Sequence, residues 1–115
     1  MTVTVPHRKT RQEAIQVIDD AMVQLYKAPI MGVEIVDPAK KWVASTMIFS
    51  LTGRLGFIEV PLSGTVAVDD QNVTILCELP AILKNFVGEE NIRTSVEQKI
   101  NDYFPPAGPL LPASD

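Results

Sequence analysis

Between Phe57 and Phe86 the chain reads FIEVPLSGTVAVDDQNVTILCELPAILKNF, and apolar residues alternate with polar ones at the period of a half-buried strand. Ile58, Val60, Leu62, Gly64, Val66 and Val68 share one parity, while Glu59, Pro61, Ser63, Thr65, Ala67 and Asp69 fall on the other. The cluster Asp69, Asp70, Gln71, Asn72 is a turn signal, because Asp and Asn accept local backbone hydrogen bonds and tolerate left-handed conformations. A hairpin results in which Val68 faces Val73, Val66 faces Ile75, Gly64 faces Cys77 and Leu62 faces Leu79. A one-residue slip would bury Thr74 and Glu78, which sets the register.

The same alternation runs upstream. Lys41 to Thr52 is the preceding strand and GRLG from Gly53 its turn, which pairs Leu51 with Ile58, Phe49 with Val60, Met47 with Leu62, Ser45 with Gly64 and Val43 with Val66. Met31, Val33 and Ile35 alternate as a further strand. A five-residue loop DPAKK, Asp37 to Lys41, sets Ile35 by Val43 and Val33 by Ser45, whereas a four-residue loop would bury Glu34. Thr2 to Val5 is a short strand ended by Pro6, a residue suited to a sheet edge because it cannot donate to a ladder.

Two stretches carry helical periodicity instead. Thr10 to Glu13 spells a capping box, TRQE, and opens a helix with Ala14, Ile15, Ile18, Ala21, Met22 and Leu25 on one stripe. That helix stops before Pro29. After Leu79, Pro80 suits a first helical turn, so a short turn of helix is expected over Pro80 to Phe86. A break follows near Gly88, then a longer helix from about Glu89 to Phe104 along Ile92, Val96, Ile100, Tyr103 and Phe104. Ile82 and Phe86 extend that stripe backwards; Leu83 and Val87 do not. The order β-α-β-β-β-β-α predicts an α+β fold, an antiparallel meander with both helices on one face of one sheet. Residues 1–104 make one domain, and PPAGPLLPASD, residues 105–115, is a proline-rich tail.

Composition narrows the function classes. With 115 residues, formal net charge −4 and 46% hydrophobic residues, the chain can bury a core without staples and shows no basic face for nucleic acid. The one basic run, His7, Arg8, Lys9 and Arg11, reads as a solvated lead-in to the first helix. One cysteine forms no internal disulfide, and no apolar run approaches the roughly 18 residues that span a bilayer. The first residues form no signal-peptide block, so the expected location is cytoplasmic.

Candidate chemistry is sparse. His7 is the only histidine, which excludes a multi-histidine metal site and leaves a catalytic constellation to be built on it alone. Cys77 falls at a core position opposite Gly64, the setting of an inert buried thiol. Asp69 with Asp70 reads as turn chemistry, and Glu89 with Glu90 as negative charge at a helix start. No phosphate-loop spacing of glycines occurs. The chain is therefore expected not to be an enzyme and to use no cofactor or metal.

Two surfaces remain. By the pairings above, Trp42, Ala44, Ile48, Phe57, Pro61, Ala67 and Leu76 point away from the helices, with Val36 beside Trp42. Val36, Trp42, Ile48, Pro61 and Leu76 are thus candidates for an interface with a second copy or another body. The space between helices and sheet is the other candidate, lined by Met22, Met47, Phe49 and Phe86, where an apolar or lipid-like ligand could be carried.

The run SGTVAVDDQNVTILCELPAILKNF, followed by a helix of the type xxIxxxVxxxI, resembles the polyhydroxyalkanoic acid system family of small bacterial proteins encoded near polyester-granule genes. Its marks here are the basic helix lead HRKTRQEA, Gly64 before an alternating strand, the acidic turn Asp69–Asp70, the junction Leu79, Leu83, Phe86, and the closing helix Ile92, Val96, Ile100. The resemblance covers about Pro6 to Phe104. It implies a granule-associated accessory protein acting through a surface, and carries over no catalytic residues.

Overall fold

The computed structural model describes residues 1–27 and 32–104, without the side chains of Leu25, Tyr26 and Phe86. Its elements are β1 (Thr2–Pro6), α1 (Arg11–Lys27), β2 (Glu34–Val43), β3 (Thr46–Leu55), β4 (Ile58–Val68), β5 (Asn72–Cys77), α2 (Ala81–Phe86) and α3 (Glu89–Tyr103). The strand start at Met31, the helix stop before Pro29, the stripe position Leu25 and the tail lie outside the described residues or side chains.

The five strands form one antiparallel sheet in the order β1-β5-β4-β3-β2. β1, whose place the sequence leaves open, takes the edge that suits Pro6. The meander follows the sequence reading. So does the β4–β5 register, with Gly64 opposite Cys77, Val66 opposite Ile75 and Val68 opposite Val73. At its turn Asp69 Oδ1 accepts from the backbone N–H of Gln71 at 2.8 Å and of Asn72 at 2.5 Å.

The capping box also forms: Glu13 N donates to Thr10 Oγ1 at 3.1 Å and Thr10 N to Glu13 Oε1 at 3.0 Å. Two N–H groups that would otherwise lack partners are satisfied reciprocally. From there Ala14, Ile18, Ala21 and Met22 are buried along one face of α1. Ala14, Ile18 and Met22 join Val3, Val5, Met47, Phe49, Leu51, Val66, Val68, Val73 and Ile75 from the sheet's inner face and Phe104 from the end of α3 in a single core. Each large side chain fully buried there contributes about 1.5–3 kcal/mol.

The registers of β2 with β3 and of β3 with β4 differ from expectation. The β3–β4 hairpin turns at Gly56–Phe57, not at GRLG, so Met47 pairs with Val66, Phe49 with Gly64, Leu51 with Leu62 and Gly53 with Val60. Gly56 sits at φ 63, which the first position of a tight two-residue turn accepts readily from glycine. The displacement of two residues on each strand preserves the inward parity, so alternation alone could not detect it.

Asp37 to Lys41 is likewise not a loop. β2 runs through it with a bulge: two residues, Asp37 and Pro38, lie between the pairs Val36–Thr52 and Ala39–Ser50, against Leu51 alone on β3. Asp37 takes φ 51 there. The bulge switches parity, so Ile35 before it and Lys40 and Trp42 after it all face the helices. The chain then turns back at Ala44–Ser45.

Candidate functional site

α1 rests on β2 and β4, whereas α3 rests on β1. The two longer helices thus stand over different parts of the inner sheet face, and a cavity of about 170 Å³ opens among them. Ile18, Ala21 and Met22 of α1 line it from one side, and Ile92, Val96, Lys99, Ile100 and Tyr103 of α3 from the other. Ile35, Phe49, Leu51, Leu62, Val66, Ile75 and Cys77 form its floor, and Leu79, Leu83 and Val87 close the α2 end. None of α3's own residues from Glu89 to Tyr103 is fully buried. The helix therefore covers the space with half-buried Ile92, Val96 and Ile100 rather than sealing it.

The walls are almost wholly apolar. Burial pushes the Cys77 thiol up, with the neighbouring Glu78 charge adding to the effect and the chain's amino terminus opposing it. That setting holds it as a thiol and disfavours the nucleophilic thiolate. Lys99 is the single charged side chain among the lining residues, and its exposure marks where the cavity meets solvent.

Of the four ligand-lining candidates, Met22 and Phe49 do line the cavity. Met47 is completely buried and is not among its walls, because it packs on the inner face opposite Trp42 and Val66. The side chain of Phe86 lies outside those described. Leu83 and Val87, which fall off the stripe of the long helix, nevertheless face the cavity: α2 and α3 are separate helices, and the break at Gly88 resets the phase.

The interface candidates divide. Ile48 and Leu76 are 48% and 50% exposed on the outer face, where both flank Thr65 in one cross-strand row. Pro61 is exposed on that side, opposite Thr52, whose other neighbour is the half-buried Val36. Trp42 does not belong to that face. It lies on the helix side, where its Nε1–H donates to Asp19 Oδ1 of α1 at 3.0 Å and Lys40 Nζ donates to the same oxygen at 2.5 Å. Ala44 sits in the β2–β3 turn at φ 55, not in a strand. The rest of the outer surface is threonine-rich, with Thr2, Thr4, Thr46, Thr52 and Thr74 among its residues.

His7 is 1% exposed and belongs to the interior, not to a basic surface. Its Nδ1 accepts from the Lys9 backbone N–H at 3.0 Å, so Nε2 carries the proton and donates to the Asp69 carbonyl at 2.7 Å. The ring lies 6.1 Å from that of Phe104. Both nitrogens are thus committed to ordering the start of α1 and the β4–β5 turn. Beside it, Arg11 pairs with Asp70 at 3.0 Å, and at the other end Glu89 and Glu90 pair with Lys84 and Arg93.

Among the described residues no group of His, Cys, Asp and Glu is arranged to hold a metal ion, and no helix is long and apolar enough to cross a membrane. No family model, curated protein or solved structure matches the chain.

Proposed function

We propose that this protein is a binding protein without chemistry of its own, which holds a small apolar ligand between its helices and its sheet. The observation that carries this reading is the apolar cavity bounded by Met22, Phe49, Leu83 and Val96. Protein interiors pack to the density of organic crystals, with few voids larger than a water molecule. Leaving the apolar walls of this 170 Å³ space uncovered costs about 25 cal/mol for each Å² of wall left to water. A ligand that removes this cost binds tightly for its size.

Thermal melting with octan-1-ol tests the reading. A ligand specific for the folded state stabilises it by about 2.7 kcal/mol at a hundredfold excess over Kd, so Tm should climb with concentration. It should climb much less in Val96→Phe, which fills the cavity from α3. A Tm that does not rise, or rises equally in the variant, overturns the reading.

A second reading has its own support in the exposed pair Ile48 and Leu76. Here the outer sheet face meets another body, either a second copy or the surface of a polyester granule, as the family resemblance implies. The threonines beside the pair and the inward turn of Trp42 reduce the apolar area it can offer.

A further inference from the structure

The cavity's charge pattern says what kind of ligand it takes. Among the described residues no carboxylate lines it, and the wall residues that carry charge are both cationic: Met1 through its amino terminus, which donates to the Cys77 carbonyl at 2.8 Å, and Lys99 through its side-chain ammonium. Among the described residues no ion pair holds that ammonium, although Glu89, Glu90, Lys84 and Arg93 on and beside the same helix are all paired. A lysine of this kind lays its aliphatic stem along an apolar wall and keeps its head in water, which places a positive charge at the mouth. Tyr103, one turn further along α3, lines the cavity next to it and is half-buried.

Volume sets the other dimension. An apolar cavity of about 150 Å³ accommodates one benzene ring, so 170 Å³ suits on the order of six carbons of a single chain, with one or two more emerging at the mouth. Two chains or a sterol ring system would not fit.

We infer that the ligand is a single-chain anionic amphiphile of about six to eight carbons, the anion of a medium-chain fatty acid, its tail among Leu83, Ile92 and Val96 and its carboxylate at Lys99. The inference rests on the carrier reading above and adds the head group and chain length to it.

Calorimetric titration of the full chain with sodium octanoate and with octan-1-ol separates the two. The wild type should bind octanoate, and Lys99→Met should weaken it about fivefold, the scale of an exposed ion pair. The same substitution should leave octan-1-ol within about twofold, because methionine keeps an unbranched apolar stem along the wall. Lys99→Glu should weaken octanoate further, and by more than it weakens the alcohol, because it sets a like charge beside the carboxylate. If octan-1-ol binds but octanoate affinity does not respond to either substitution, the head-group assignment is overturned and the carrier reading stands. If neither compound binds the wild type, both are overturned.

Discussion

Trp42 and Asp19 join β2 to α1: the indole N–H of the one tryptophan donates to a carboxylate oxygen 3.0 Å away, and that oxygen also takes the Lys40 ammonium. The Lys40 hydrogen bond, and after it the Trp42 bond, hold the Asp19 carboxyl below its ordinary value. A carboxylate lowered in this way stabilises the fold above its unfolded pKa and loses that stabilisation as pH falls through the folded one. Trp42 fluorescence should therefore change in acid, below about pH 4, and Asp19→Asn should remove that step. Because Asp19 is partly exposed, the substitution should cost only about 0.5–1 kcal/mol at neutral pH. An unaltered acid transition in the variant would show that another group produces it.

Gly64 lies where the strands leave no room for a side chain. A Cβ there would run into the Leu76 carbonyl oxygen and come within 2.9 Å of Phe49 Cζ and 3.1 Å of Cys77 Cα. Two of the three obstacles are backbone and cannot swing aside. Gly64→Ala should therefore destabilise by about 1–3 kcal/mol, read as a lower urea midpoint at unchanged m-value. A midpoint equal to wild type would contradict the register of β4 with both neighbours.

His7→Ala should cost about 1–3 kcal/mol, since it strands the Lys9 N–H and the Asp69 carbonyl and leaves Phe104 without its ring neighbour. Amide hydrogen exchange should then quicken at the β4–β5 turn and the first turn of α1 before it does in β3. Uniform loss of protection would mean that the ring supports the core in general and not that junction.

The outer face has a separate test. Ile48→Lys with Leu76→Lys adds two ammonium groups without touching the core, so circular dichroism should be unchanged. If the second reading holds, the wild type sediments as an oligomer or partitions to polyester particles, and the double variant does neither. A wild type that is monomeric and ignores such particles removes that reading.

These particulars show how far residue pattern reaches. The β4–β5 hairpin was legible because Asp69–Asn72 announces its turn and a slip there would bury Glu78. The α1 start was legible in TRQE, and the division of the closing helices at Gly88. The registers of β2, β3 and β4 were not, because moving a hairpin turn by two residues leaves every side chain on the same face. Trp42 faces the helices, against expectation, because the chain turns back at Ala44–Ser45 inside what reads as one strand from Lys41 to Thr52, so the parity of Met47 and Phe49 does not carry across to it. Its partner Asp19 reads in sequence only as a polar position off the apolar stripe. Of the site, Met22 and Phe49 could be named in advance. Lys99 could not, since a lysine on an amphipathic helix looks alike whether it borders a cavity or open water.

The central claim is that the apolar space between α1, α3 and the sheet receives a ligand. Methyl-resolved NMR of the full chain titrated with octan-1-ol tests it most directly. The methyls of Leu83, Ile92, Val96 and Ile100 should shift together along one saturating curve while those of Ile48 and Leu76 stay in place. Shifts confined to Ile48 and Leu76, or no saturable shift at all, would contradict it.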